Sequence, residues 1–228
     1  MRLFILLLLI PFGLQAQQLT GTQLLEKAIN YHDPNGEWDT FKGTLFVEMT
    51  TPDRSARMTE IYIDLPGSFF QAVAKQDDIK TTYTVKNGNC AVNTEPPQEK
   101  NPDCERAVMY RNYYTYLYGL PMKLKDPGTI IDPKVEMVTF KGKEYLRLKA
   151  SYAEEVGSDV WFFYFDPQTY AMEVYQFFKG DPSGKGKDTG EYILLEGESL
   201  IGGMRIPKDR EWFYNKDDKF LGKDALKN

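Results

Sequence analysis

The chain has 228 residues, 42% of them hydrophobic and 14% aromatic, with a formal net charge of −5. This length fits one domain with a sizeable core, and the many aromatic residues exclude disorder of the whole chain. The acidic balance without a basic run excludes nucleic acid as a partner. A single histidine and two cysteines exclude zinc-finger and disulfide-scaffold folds, and we expect neither a metal nor a cofactor.

The N-terminus has the pattern of a secretory signal peptide over residues 1–16. Arg2 precedes an apolar run, and Ala16 is the small residue of a cleavage site. The run is shorter than the ~20 apolar residues that span a bilayer, so we expect no transmembrane segment in the mature chain. Cleavage near Ala16 predicts a periplasmic or secreted protein, with residues 17–228 as a single domain because no linker or repeat divides them.

A helix and then a series of strands are predicted in the first half of the mature chain. Apolar residues within 24–29 form one stripe of a helix, with Thr22 as its N-cap. From Phe41 to Lys86 the apolar period is two, which predicts half-buried antiparallel strands. The dipeptide Asn87-Gly88 that follows is a hairpin signal.

The two cysteines, Cys90 and Cys104, flank a turn-rich loop. Their spacing is far from that of a C-x-x-C redox pair. Because export places them in an oxidising compartment, we expect a structural disulfide between them.

The segment from Glu105 to Leu120 carries apolar and aromatic residues at helical spacing around most of its circumference. This pattern predicts a helix that is buried on more than one side. Two interpretations stay open: the helix packs as ordinary core, or Tyr113, Tyr116, Leu120 and Met122 form one wall of a ligand pocket.

Strands resume at Val135 and continue to Tyr214. Residues 160–165 are apolar at odd and even positions alike, which predicts a strand covered on both faces. In total the pattern gives about nine to eleven strands and two helices. Without alternating β-α-β units, the fold class is α+β, a strongly bent antiparallel sheet around a helix.

This order of elements, from Gln18 to Tyr214, resembles the LolA-like lipoprotein-carrier superfamily. The segments 31–38 and 116–122 also resemble those of an uncharacterised family of exported proteins with this architecture. The resemblance implies an open half-barrel whose concave face, closed by a helical insert, holds acyl chains. Those carriers place an Arg before the Pro that opens the third strand, where it contacts the helical lid. This chain departs from that pattern, because Leu65 precedes Pro66.

We therefore expect an exported, non-enzymatic protein that binds a lipid or the acyl chain of a lipoprotein, with an envelope protein as a further partner. Its hydrophobic or amphiphilic ligand would lie in the concave face of the half-barrel. The candidate lining residues are apolar or aromatic and come from both sheet halves and the central helix: Leu45, Val47, Met49, Ile61, Ile63, Phe69, Val73, Tyr113, Tyr116, Leu120, Met122, Phe162, Tyr164 and Phe177.

Two alternatives stay open. A secreted hydrolase would use His32 beside Asp33, because a histidine next to a carboxylate can act as a general base. No G-x-S-x-G nucleophile motif accompanies them, so we assign no catalytic residue. The structural interpretation places His32 at a helix C-terminus and Asp33 at the start of a turn. The other alternative is an envelope sensor or protein-interaction module with the same fold.

Overall fold

The structure is a computed structural model that describes residues 19–228, so the predicted signal peptide lies outside the described residues. Helix α1 (Gly21–His32) has Thr20 as its N-cap. The Thr20 hydroxyl accepts the Gln23 N–H, and the Gln23 side chain accepts the Thr20 N–H, which forms a capping box. The prediction of an N-cap at Thr22 is wrong, because this reciprocal pair places the N-cap two residues earlier, at Thr20.

Five strands follow α1 and form the first sheet half. They are β1 (Lys42–Thr51), β2 (Arg54–Asp64), β3 (Phe69–Gln76), β4 (Ile79–Lys86) and β5 (Asn89–Glu95). The predicted hairpin between β4 and β5 is confirmed. Asn87 and Gly88 have φ values of 49° and 81°, and this left-handed backbone is what a two-residue hairpin turn requires.

Helix α2 (Cys104–Gly119) separates the first sheet half from the second. The second half consists of β6 (Thr129–Phe140), β7 (Lys143–Tyr152), β8 (Val160–Phe165), β9 (Met172–Phe178), β10 (Glu191–Ile201), β11 (Met204–Tyr214) and β12 (Phe220–Leu226).

All twelve strands form one antiparallel sheet in the order β5-β4-β3-β2-β1-β12-β11-β10-β9-β8-β7-β6. The last strand pairs with the first, since β12 runs antiparallel to β1 with Leu226 opposite Val47, and this pairing joins the two halves. The outer strands, β5 and β6, do not pair, so the sheet stays open. This arrangement confirms the predicted α+β fold with a strongly curved antiparallel sheet.

The main core lies on the concave face, where α1 packs against β6, β7 and β11. Its members alternate along each strand; Leu45 on β1 and Ile61 on β2, for example, are fully buried opposite each other. A smaller aromatic cluster around Tyr145 and Tyr164 covers part of the convex face. Strand β8 lies between the main core and this aromatic cluster, so it is covered on both faces, as predicted.

Candidate ligand-binding cleft

Helix α2 lies on the concave face against β3, β4 and β5. The Tyr114 ring stacks on Phe70 of β3 with ring centroids 6.4 Å apart, and Tyr110 meets Tyr83 of β4 edge-on at 4.7 Å. Such aromatic pairs contribute ~0.5–1.5 kcal/mol each beyond the area that they bury. Aromatic side chains therefore make the contact between α2 and the first sheet half.

Beneath α2, Arg57, Asp224 and Arg210 form a row of charged side chains, here named the buried charge row. Arg57 on β2 is opposite Met49 on β1, Met49 is opposite Asp224 on β12, and Asp224 is opposite Arg210 on β11. Arg210 is 0% and Asp224 4% exposed. Two guanidinium groups thus accompany a single carboxylate on the concave face.

Tyrosine hydroxyls of α2 bind the buried charge row. Arg57 donates hydrogen bonds to the hydroxyls of Tyr110 and Tyr114 at 3.0 and 3.4 Å. The Tyr113 hydroxyl donates to the Asp224 carboxylate at 3.1 Å. Burial raises the pKa of the Asp224 carboxyl. These bonds attach the helix to two strands that belong to different sheet halves.

Arg210 lies under the C-terminal part of α2. Its guanidinium is 3.9 Å from the centroid of the Tyr118 ring and donates to the Pro207 carbonyl at 2.8 Å. Among the described residues, the Arg210 Nε and the hydroxyls of Tyr118 and Tyr175 have no hydrogen-bond partner. Buried polar atoms of this kind cost free energy unless water or a ligand binds them.

A cleft of about 1420 Å³ lies on the other flank of α2, between the helix and the second sheet half. Its walls are aromatic. Trp161 on β8 and Phe177 on β9 stack with centroids 4.9 Å apart, and Tyr113 of α2 stacks on Trp212 of β11 at 6.0 Å. Tyr116 meets Trp161 edge-on at 5.4 Å. Helix α2 therefore packs on the first sheet half along β3, β4 and β5, and it contacts the second half through Tyr113 and Tyr116 at the walls of the cleft.

The rim of the cleft combines apolar and polar side chains. Met109 of α2 is 38% exposed, and Val156, in the loop between β7 and β8, is 55% exposed. Further along the rim, the hydroxyl groups of Tyr116 and Tyr152 are hydrogen-bonded to each other. The opening thus offers apolar contacts to a molecule that enters from solvent.

The structure joins Cys90 on β5 to Cys104, the first residue of α2, with a Cα–Cα distance of 5.7 Å. Both residues line the cleft. The predicted disulfide is present, and it fixes the N-terminus of α2 to an edge of the sheet.

The fourteen predicted lining residues fall into three groups. Tyr113, Tyr116 and Phe177 line the cleft. Seven others lie on the concave face away from it: Leu45, Val47, Ile61, Ile63, Leu120 and Met122 are buried in the main core, and Met49 is half-buried in line with the buried charge row.

The remaining four predicted lining residues lie on the convex face, which corrects their assignment. Phe70 contacts α2, so its neighbour Phe69 points the other way and packs against Tyr62. Val73 has the same parity as Phe69. On β8 the concave positions are odd-numbered, and Phe162 and Tyr164 belong to the convex cluster.

Sequence reasoning missed several residues that line the cleft. Trp161 lies in the run 160–165, where every residue is apolar. The apolar period therefore does not predict which face of the sheet its side chain is on. Trp212, Val108 and Tyr152 also line the cleft. For Trp161 and Trp212 the one available signal in the sequence was the size of the indole ring, since large aromatic groups contribute much of the contact area in ligand sites. Val108 and Tyr152 had no such signal.

The hydrolase candidates, His32 and Asp33, are buried and fully bonded. His32 Nδ1 donates to the Arg205 carbonyl at 2.7 Å, and its Nε2 accepts the Met172 N–H at 2.9 Å. Burial lowers the pKa of His32, so the ring is neutral rather than charged by the helix dipole. The Asp33 carboxylate accepts the N–H groups of Glu37 and Trp38 at 2.8 and 2.9 Å. This geometry corresponds to the structural interpretation of the pair.

Residues 19–228 hold neither a membrane-spanning helix nor a cluster of metal ligands. No helix in this range is long and apolar enough to cross a membrane. No group of three or more His, Cys, Asp or Glu side chains within it could hold a metal ion.

The fold is similar to that of solved structures with little sequence identity. A LolA superfamily protein from Nitrosomonas europaea has a TM-score of 0.52 at 10% identity, with 92% of each chain covered. A DUF1329 family protein from Desulfovibrio piger has a TM-score of 0.51 at 9% identity, again with 92% of each chain covered. No curated protein matches the sequence. A family described as a family of unknown function, DUF6503, matches residues 1–228, and the chain belongs to that family.

Proposed function

We propose that the protein binds a hydrophobic or amphiphilic ligand, a lipid or the acyl chain of a lipoprotein, in the cleft between α2 and the second sheet half. The observation that carries this proposal is the aromatic lining of a cleft of about 1420 Å³. Ligand sites of ~300–1,000 Å³ accept drug-sized molecules, so this volume suits a long or branched chain.

The energetics favour such a ligand. Burial of a methylene group contributes ~0.8 kcal/mol, so a sixteen-carbon chain gains about 10 kcal/mol before the entropic costs of binding. Aromatic walls supply this contact area with little side-chain entropy to lose. Binding by sequestration therefore needs no covalent chemistry and no catalytic residue.

Export of the protein is part of the proposal. The apolar leader with Arg2 and Ala16 has the signal-peptide pattern, and the Cys90–Cys104 disulfide suits an oxidising compartment. A carrier in the periplasm would keep the ligand's hydrocarbon out of water between two membranes. The similarity of the fold to that of the solved LolA superfamily protein supports this proposal as an analogy of architecture.

A bulky side chain in the cleft tests the ligand site. Val108 of α2 is half-buried and lines the cleft, so Val108→Trp should fill part of it and weaken binding of a fluorescent acyl-chain probe with an uncharged headgroup by about tenfold or more. The control is Val73→Trp, the same change at a half-buried position on the convex face, which should leave probe binding unchanged. Thermal unfolding of both variants checks the fold. Equal binding by the two variants, or no binding by the wild type, contradicts the proposal.

A further inference from the structure

A carboxylate stands within the aromatic part of the cleft. Trp161 on β8 is opposite Phe177 on β9, and Phe177 is opposite Glu191 on β10. Residues opposite one another in neighbouring strands share a face of the sheet. Trp161, Phe177 and Glu191 therefore form one row on the concave face, and all three line the cleft.

The Glu191 side chain has no hydrogen bond or ion pair to any of the residues 19–228, although it is half-buried. Burial raises the pKa of its carboxyl, and Lys179 opposes this effect only from a distance. A partly desolvated carboxylate without a partner costs free energy. A ligand that brings a positive charge would recover that cost on binding.

The other charged residues of the lining add to the negative potential. Lys123 and Asp126 form an ion pair with each other, so their charges cancel. Glu105 and Asp159 also line the cleft, and neither has an ion pair within the described part of the chain. Three carboxylates without an ion pair in residues 19–228 thus line the cleft, and the lysine that lines it, Lys123, is already paired with Asp126. An anionic headgroup would be repelled there.

The aromatic rings beside Glu191 suit a cation as well. The faces of Trp and Phe rings attract an ammonium group at distances within about 6 Å, and more strongly where water is excluded. The Trp161 and Phe177 rings are stacked at 24° to each other, so each covers one face of the other, and a cation would meet the outer face of the pair in the row that holds the carboxylate. An aromatic face attracts an ammonium group, and a carboxylate in the same row balances its charge.

We infer that the cleft selects amphiphiles with a cationic headgroup, whose ammonium group lies at Glu191 beside Trp161 and Phe177 while the hydrocarbon contacts the aromatic walls. This inference rests on the proposed function and adds the class of headgroup to it. Primary and quaternary ammonium groups share this chemistry, and the test separates them.

The test compares probes with the same twelve-carbon chain below their micellar concentrations. Isothermal titration with dodecylammonium, dodecyltrimethylammonium, dodecyl maltoside and dodecanoate gives the affinities for primary, quaternary, neutral and anionic headgroups. We expect one or both cationic probes to bind about tenfold more tightly than the neutral probe, and dodecanoate to bind more weakly than the neutral probe. If the neutral probe binds and the cationic probes bind no better, the inference is overturned while the proposed function stands. If no probe binds, the proposed function itself fails.

A matched pair of variants assigns the preference to one residue. Glu191→Gln keeps the shape of the side chain and should lower the affinity for the cationic probes by about tenfold, with the neutral probe unaffected. Glu60→Gln removes an equal charge at an exposed position of β2 and should leave all affinities unchanged. If both variants lose the same affinity for the cationic probes, the attraction comes from the overall charge of the protein, and the assignment to Glu191 is wrong. Because Glu191→Gln removes an unpaired carboxylate, its melting temperature should not fall below that of the wild type.

Discussion

Asp224 is the single carboxylate between two arginines of the concave face. It accepts the Tyr113 hydroxyl, and Arg210 beside it is fully buried. A buried ion pair adds little net stability compared with an apolar core, but loss of one partner leaves the other charge uncompensated. The buried charge row therefore makes the position of α2 depend on one side chain.

We expect Asp224→Asn to destabilise the fold by about 3 kcal/mol in urea unfolding at neutral pH, because Arg57 and Arg210 lose their only nearby negative charge.

The matched control for that variant is Asp78→Asn, the same change in the exposed turn between β3 and β4. Surface substitutions of this kind change stability by less than ~0.5 kcal/mol. Equal effects of the two variants would show that the buried charge row has no special role.

Single residues also mark the limit of sequence reasoning. Phe69 and Phe70 are adjacent, apolar and in one strand, and only Phe70 contacts α2. Since neighbouring side chains point to opposite faces, an error of one position moves a residue from the core to the convex surface. The same ambiguity in residues 160–165 placed Phe162 and Tyr164 on the wrong face.

The sequence predicted the helices and strands more accurately than it predicted the face of the sheet on which each residue lies. Hairpin signals such as Asn87-Gly88 and the aromatic pattern of α2 have local causes, namely turn chemistry and helical spacing. The buried charge row had no such signal. A charged residue in a strand of alternating pattern, such as Arg57 or Arg210, is expected to face solvent. Arg210 is buried and Arg57 half-buried because α2 covers that face of the sheet.

The N-terminus of α2 depends on the disulfide that ties it to β5. Replacing both cysteines, Cys90→Ser with Cys104→Ser, should lower the free energy of unfolding by ~3 kcal/mol, as expected for a sequence separation of 14 residues. The measurement is urea unfolding under oxidising conditions.

Reduction supplies the control for the double variant. Dithiothreitol should shift the wild-type unfolding curve towards that of the variant and leave the variant's own curve in place. A wild-type curve that is insensitive to the reductant would contradict the structural role of the disulfide.

At the scale of the whole molecule, the two sheet halves of residues 19–228 pair with each other through β12 and β1. Leu226 lies at this junction opposite Val47 and is 0% exposed. We expect Leu226→Ala to destabilise the fold by about 2–5 kcal/mol, measured by chemical unfolding. Leu200→Ala, the same change at a residue that is 76% exposed, should have little effect. If both variants unfold alike, the junction does not hold the halves together.

The overall architecture was within reach of the sequence because it depends on many alternating strands and few helices. The location of the cleft was not. Prediction placed the lining residues on both sheet halves and the central helix, and those of the first half, such as Leu45 and Ile61, lie in the packed core. The position of the cleft depends on the distance between α2 and each sheet half. A local sequence pattern does not predict that distance.

The path of the chain through α2 has a mechanical consequence. The helix follows β5, one margin of the sheet, and leads to β6, the other margin. Its 16 residues make a rod ~24 Å long at ~1.5 Å per residue. We expect a rigid helix of this length to keep β5 and β6 too far apart to pair with each other. The distance between these two edge strands, and with it the width of the opening, would then be fixed before a ligand binds.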